Sequence, residues 1–288
     1  MNIKNLLAVN DLSGYGKASL SLILPIVSVM GIQVSNIPSA VLSSHAAING
    51  FVMKPMDEMM EMTIKHWRKL NLKFDTVYTG FLTSGKQIKI VENLIRNVSK
   101  KETLVIVDTV FADHGKLYSP FIGSNIVDSI KKLLRVADVI TPNLTEACML
   151  LGREYSDKIS FNDAKYFLEK LLNLNVKSPV ITGIEIIGEN DLIYTVFYDS
   201  ASSKYNCVSN KKVKACFSGT GDTFTSVVAG CLTNGLTLTD AIKRAVSFIA
   251  KCINDTVMLS CDPLNGIVIE KSLCNLNNCI DDIEVYEF

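Results

Sequence analysis

The run Thr103-Leu104-Val105-Ile106-Val107 is apolar along its length and stops abruptly at Asp108. A strand without polar alternation has both faces buried, which is the mark of a parallel sheet covered by helices on either side. The pattern recurs. Ile3 to Val9 closes on Asn10-Asp11, Phe74 to Thr79 on Gly80-Phe81, Val136 to Ile140 on Thr141-Pro142, and Ser178 to Ile181 leads into Thr182-Gly183. Helical spacing separates these strands at Ala18 to Ile23, Gln87 to Ser99, Asn125 to Leu134, Ala147 to Leu151 and Phe161 to Leu172, and returns at Thr239 to about Asn254. Strands alternating with helices predict an α/β fold.

Other stretches refine this outline. Pro25 is expected to interrupt or kink the first helix. Ile32 to Ile37 alternates like an edge strand, and Ser39 to Gly50 reads as a loop or lid. A helix from about Met56 to Leu70 carries the stripe Met59, Met60, Ile64 and Trp67, suited to core or dimer packing. Leu192 to Tyr198 and Tyr205 to Val208 read as an antiparallel pair. No repeat and no Pro-, Gly- or Ser-rich linker divides the 288 residues, so a single domain over 1–288 is expected.

Lys plus Arg equals Asp plus Glu at 29 each, which gives no bulk electrostatic case for a nucleic-acid or membrane partner. No apolar run approaches the roughly 18 residues that span a bilayer. The eight cysteines are scattered without a C-x-x-C pair, as reduced thiols of a cytoplasmic protein would be.

Ser13, Asp108, Asp113, Thr141, Asn143, Glu146, Thr182 and Asp222 all follow a strand or begin a helix, and in a parallel sheet those places share one edge. Asp222 belongs to Ser218-Gly219-Thr220-Gly221-Asp222-Thr223-Phe224, where glycines precede an apolar helical run. Successive N–H groups there, backed by the helix dipole, form a nest for an anion such as phosphate. A carboxylate beside a phosphate suits a group that accepts a proton from an attacking hydroxyl. Asp113 and Glu146 near such a nest suggest a divalent cation, although Asn143 and Glu146 also fit a helix capping box.

Ser218-Gly219-Thr220-Gly221-Asp222-Thr223-Phe224 resembles the signature of the ribokinase-like small-molecule kinases, and Thr141-Pro142-Asn143-x-x-Glu146 that of their vitamin-kinase branch. Asn10-Asp11-Leu12-Ser13-Gly14-Tyr15-Gly16 and Val107-Asp108-x-Val110-x-x-Asp113 resemble the pyridoxal/pyridoxamine kinases within it. The resemblance implies a three-layer α/β/α ribokinase-like fold with a central, mainly parallel sheet. It also implies ATP and Mg²⁺, a homodimer, and phosphorylation of the 5′-hydroxymethyl of a vitamin B6 vitamer. By position, Asp222 would be the general base and Gly219, Thr220 and Gly221 the anion hole. Asp113 and Glu146 would hold or orient Mg²⁺. Asp113, Asn143, Thr182, Gly183, Val213, Lys214 and Ala215 would meet the nucleotide, with Thr220 and Gly221. Asp108, Thr141 and Thr182 match a monovalent-cation site for K⁺ or Na⁺. Ser13 would bond the pyridine ring, and Phe81 stands where some relatives stack a tyrosine.

Two positions depart from that pattern. His45-Ala46-Ala47 replaces a His-Thr-Gly, so Ala46 lacks a substrate-touching hydroxyl, and Thr109 replaces a proline. One lost hydrogen bond is worth about 0.5–1.5 kcal/mol, enough to shift vitamer preference. Two other readings stand beside the vitamin B6 kinase: a hydroxymethylpyrimidine kinase, whose first loop is similarly short and Gly-rich, and a non-catalytic vitamer-binding protein.

Overall fold

The structure, a computed structural model, describes residues 3–118, 122–123, 125–213, 217–278 and 283–288. Its order is β1 (Asn5–Ser13), α1 (Leu20–Val29), β2 (Gln33–Leu42), β3 (Met53–Pro55), α2 (Asp57–Lys69), β4 (Phe74–Thr79), α3 (Gly85–Val98) and β5 (Ser99–Val107). Then follow β6 (Ala112–Asp113), β7 (Lys116–Leu117), α4 (Ile126–Leu134), β8 (Val139–Ile140), α5 (Leu144–Leu151), β9 (Lys158–Ile159) and α6 (Phe161–Leu172). The chain ends with β10 (Ser178–Ile186), β11 (Leu192–Asp199), β12 (Lys204–Lys211), α7 (Thr220–Thr233), α8 (Leu238–Met258) and β13 (Tyr286–Glu287).

The main sheet runs β13-β12-β11-β10-β8-β5-β4-β1-β2-β3, with β9 added to β10. From β10 through β2 every neighbouring pair is parallel, and antiparallel strands extend both ends. Alternate residues of the apolar strands enter opposite cores. Leu7, Val9, Val77, Val105, Val107 and Ile140 pack with α2 to α6, whereas Leu6, Ala8, Tyr78, Ile106 and Val139 pack with α1, α7 and α8. This is the three-layer α/β/α ribokinase-like arrangement, and the two buried faces explain why these strands carry no polar alternation.

Several boundaries differ from the sequence expectation, each for a tertiary reason. β1 does not stop at Val9; it continues through Asn10, Asp11 and Ser13, all at most 5% exposed, because hydrogen bonds from neighbouring segments satisfy those polar side chains. Pro25 lies inside α1, whose helix runs through it; complete burial of Leu22, Ile23, Ile26 and Val27 offsets the missing N–H. Gln33–Ile37 pairs with β1 on one side only, as expected of an edge, whereas further along β2 the short β3 adds a second partner at Ala40–Leu42. Ser39–Leu42 belongs to β2, so the loop begins only at Ser43. Met59 is exposed, leaving Met60 and Ile64 as the buried stripe of α2, with Trp67 against Phe74 at 5.7 Å between ring centroids. Thr182 and Gly183 lie within β10, where pairing to β11 slips between Ile181 and Ile184 and Gly183 adopts φ 70°.

Among the described residues no helix is long and apolar enough to cross a membrane, and Cys148, Cys207, Cys231, Cys252, Cys261 and Cys274 are free thiols. Phe248 of α8 is fully buried in the core that also holds Val180, Phe197 and Val208. Phe248→Ala is therefore expected to lower the unfolding free energy by about 3–5 kcal/mol, read as a lower denaturant midpoint at unchanged slope.

Candidate active site

At the C-terminal edge of the parallel strands, Asn10, Asp11 and Ser13 of β1 meet Gly80-Phe81 after β4, Asp108 after β5, Thr141 after β8 and the first turn of α7. Asn10 is completely buried and organises this edge. Its Oδ1 accepts from the N–H groups of Asp11 at 3.0 Å and Phe81 at 2.7 Å, and its Nδ2 donates to Asp222 Oδ1 at 3.4 Å. A Cβ on Gly80 would sit 2.2 Å from Asn10 Nδ2, so the glycine allows the backbone to come this close.

Asp222 lies in the first turn of α7, as the sequence expectation has it. Gly219 precedes the helix with φ 87°, and a Cβ there would lie 2.4 Å from Leu22 Cδ1 and 2.8 Å from the Lys17 carbonyl oxygen. No side chain caps the start of α7, which leaves its leading N–H groups to an incoming acceptor. Gly219, Thr220 and Gly221 surround that point, and Gly221 opens onto free space. The other Asp222 oxygen, Oδ2, accepts the Ser19 N–H at 2.9 Å. Burial pushes the Asp222 carboxyl up to about 6, the Asp11 charge adds to this, and the Ser19 and Asn10 donors pull against both.

A second polar group lies under β5 and β8. Glu146, 2% exposed, caps α5 reciprocally with Asn143. Its Oε1 accepts from the N–H groups of Phe111 at 2.8 Å and Ala112 at 3.3 Å; its Oε2 accepts from Thr109 Oγ1 at 2.5 Å and the Asn143 N–H at 3.0 Å. Four donors occupy the carboxylate, which suits an orienting group better than a direct metal ligand. Thr109, where relatives were expected to carry proline, is one of them. Asn143 spends its side chain on the Glu146 N–H and on the Ala112 carbonyl, which ties the β6–β7 hairpin to α5. Asp113 on that hairpin is 43% exposed along its side chain and accepts the His114 N–H at 2.8 Å.

Asp108 is joined to Thr141 through Thr225: Thr225 Oγ1 donates to Asp108 Oδ2 at 3.0 Å and lies 2.9 Å from Thr141 Oγ1. Burial, then the Glu146 and Asp222 charges, hold the Asp108 carboxyl well above the ordinary carboxylate range. Thr182 makes its backbone bond to the Pro142 carbonyl and forms an isolated bridge to Asn143 at the start of α5.

On the facing side, Ser13 Oγ donates to Asp11 Oδ2 at 3.2 Å, and Phe81 is half-buried with its carbonyl accepting from Ser39 Oγ at 2.6 Å. Ala46 is exposed. His45 beneath it is buried; its Nδ1 accepts from the Ala47 N–H at 3.3 Å, so Nε2 carries the proton that it gives to the Leu264 carbonyl at 2.8 Å. Val213 is half-buried after β12, and Lys214 and Ala215 lie outside the described residues. Among the described residues no three His, Cys, Asp or Glu side chains gather as a metal cage. A magnesium ion held mainly by phosphate oxygens and water, with one exposed carboxylate such as Asp113, needs none.

The structure adds Asn10, Asp11, Ser19 and Thr225 to the candidate site; the sequence reading assigns none of them a role, although Asn10 and Asp11 open the Asn10–Gly16 motif. For Asn10-Asp11 the signal is a polar pair closing an apolar strand. Ser19 and Thr225 carry no local signal, because Ser19 acts where the starts of α1 and α7 meet and Thr225 where α7 meets the ends of β5 and β8.

Glu146 gives a test that does not depend on activity. Burial raises its carboxyl from 4.5 to about 7, so the folded chain holds this proton to higher pH than the unfolded chain does. The folded state is then favoured below about pH 4.5 and progressively penalised as pH rises to about 7. The unfolding free energy of wild type minus that of Glu146→Gln should fall by on the order of 3 kcal/mol between pH 4.5 and 8. A difference flat with pH contradicts this.

A family profile described as phosphomethylpyrimidine kinase matches residues 36–264. A Bacteroides thetaiotaomicron protein provisionally named a phosphomethylpyrimidine kinase, crystallised with pyridoxal, superposes with a TM-score of 0.95 at 36% identity, covering 100% of both chains. A Schizosaccharomyces pombe protein provisionally named a pyridoxal kinase is 23% identical over 88% of this chain and 86% of its own length. The hydroxymethylpyrimidine/phosphomethylpyrimidine kinase of Aquifex aeolicus is 28% identical over 64% of this chain and 68% of its own. With the family profile spanning most of its length, this chain belongs to the phosphomethylpyrimidine kinase family of ribokinase-like vitamin kinases.

Proposed function

We propose that the protein transfers the γ-phosphoryl group of ATP to the 5′-hydroxymethyl of a vitamin B6 vitamer, with Asp222 as general base. The observation that carries this reading is the Asp222 carboxylate itself: held by two donors, raised to about 6, and set beside uncapped N–H groups at the start of α7. Such a base is ionised at neutral pH yet close enough to its titration point to accept a proton. Gly219, Thr220 and Gly221 present N–H groups where charge develops on the transferring phosphoryl, which is how sites of this kind lower the barrier.

The other residues take roles consistent with their surroundings. Asp113, exposed on its hairpin, would hold Mg²⁺ on the nucleotide phosphates while Glu146 fixes that hairpin from below. When bound, the metal would neutralise charge shared between the phosphates. Asn143, Thr182, Gly183 and Val213 would border the nucleotide. Asp108, with Thr141 and Thr182 on the neighbouring strands, would accommodate K⁺ or Na⁺. Ser13 and Phe81 would face the ring on the opposite side, where Ala46 removes one hydroxyl. The pyridoxal held by the Bacteroides relative supports a vitamin B6 vitamer. The family description and the Aquifex relative favour a second reading, phosphorylation of hydroxymethylpyrimidine.

Steady-state assays with pyridoxal, pyridoxine, pyridoxamine and hydroxymethylpyrimidine discriminate the two, with the highest kcat/KM expected for a B6 vitamer. A general base contributes about 10²–10⁴-fold, so Asp222→Asn should lower kcat by that range while vitamer binding persists. Because protonated Asp222 cannot accept a proton, wild-type kcat/KM should fall about tenfold per pH unit below about 6. Undiminished turnover in the variant removes Asp222 from the role of base. Turnover confined to the pyrimidine selects the second reading.

A further inference from the structure

Ser19 has an unusual backbone conformation that helix capping does not explain. It lies at the N-cap of α1 with φ 55° and ψ −129°, a conformation that L residues other than glycine rarely adopt. A serine at an N-cap ordinarily turns its hydroxyl onto the helix N–H groups. Here the hydroxyl makes no cap; Ser19 Oγ donates to Asp11 Oδ1 at 2.5 Å. Both residues are at most 5% exposed. The unusual backbone conformation directs the Ser19 N–H outward from α1 and onto Asp222 Oδ2 at 2.9 Å. Asp11 is itself fixed by Ser13 Oγ and by the bond from its own N–H to Asn10 Oδ1.

We propose that Ser19 and Asp11 are positioning residues for Asp222: Asp11 anchors the Ser19 hydroxyl, and the anchored residue holds its N–H on the carboxylate. The inference rests on the reading of Asp222 as the base, and neither residue need touch substrate to serve it. Asn10 holds the other Asp222 oxygen, so β1 and the start of α1 grip the carboxylate from two sides. The arrangement gives a physical use to two features, a strained serine and a buried aspartate with no cationic partner bonded to it among the described residues. Other titratable groups face this cluster: Tyr78 from β4, Asp108 after β5, Tyr118 after β7 and His45 from the loop after β2. All of them stay in place in the variants below.

The test compares Ser19→Ala, Asp11→Ala, their double variant, Asp11→Asn and Ser19→Gly, each checked for folding by thermal melting. Ser19→Ala and Asp11→Ala should each lower kcat about tenfold or more with KM within threefold. Both delete the same link, so the double variant should be no slower than the slower single. Asp11→Asn retains an acceptor for Ser19 Oγ and should recover most of kcat. Ser19→Gly accepts φ 55° without strain, so it keeps the fold but lacks the hydroxyl; it should be as slow as Ser19→Ala. Titration of the Asp222 carboxyl by ¹³C NMR is read independently of turnover. Loosening the Ser19 N–H removes a donor that favours the ionised form, so the midpoint should rise in Ser19→Ala and Ser19→Gly. Multiplying losses in the double variant, or an unchanged midpoint with unchanged kcat, overturns the proposal. An inactive wild type whose Asp222 midpoint still rises in Ser19→Ala would reject the kinase reading and leave the coupling standing.

Discussion

A parallel sheet buried on both faces leaves little room for polar side chains before the C-terminal ends of its strands. Leu6 to Val9 and Val105 to Val107 supply two separate cores with alternate residues, and none of them is more than 5% exposed. Buried polar side chains collect at the C-terminal ends of the parallel strands: Asn10, Asp11 and Ser13 in the last part of β1, Thr79 ending β4, Asp108 after β5 and Thr141 after β8. The site follows from the sheet's packing as much as from any local motif. Helix α7 completes it because Gly219 lets the helix start approach Leu22 and the Lys17 carbonyl more closely than a side chain would permit.

Burial then sets the electrostatics. Asp11, Asp108, Glu146 and Asp222 are all raised from ordinary carboxylate values, with desolvation the largest cause for each. Their hydrogen-bond supply differs, and so does their chemistry. Glu146 is saturated by four donors and behaves as part of the scaffold that carries Asp113. Asp222 has two donors, one on each oxygen, which leaves it ionisable and able to accept a proton. Asp108 sits deeper, with Thr225 as its bonded hydroxyl. Grouping acidic side chains on one edge costs stability, a cost that sites handling cations and phosphates commonly carry.

The fold class was legible in the apolar strands, because burial on both faces suppresses polar alternation and the strand ends stand out. Asp222 was legible for a local reason: glycines before an apolar helical run predict a helix start and place the aspartate in its first turn. The capping box of Asn143 and Glu146 was equally readable. What could not be read came from tertiary packing. The length of β1 depends on donors from Ser13, Ser19 and the Phe81 backbone. The continuity of α1 through Pro25 depends on the core beneath it. Thr182 and Gly183 look like a strand end, yet β9 and β11 extend pairing past them. Ser19 acquires its role only when the starts of α1 and α7 are brought together.

Proposed transfer of phosphate at this edge to a vitamer hydroxymethyl can be watched by ³¹P NMR of the protein incubated with ATP, Mg²⁺ and pyridoxal. A new phosphomonoester resonance, split by the adjoining methylene protons and growing in step with ADP, is expected. Release of inorganic phosphate without that ester, or no change in ATP, would contradict the transfer.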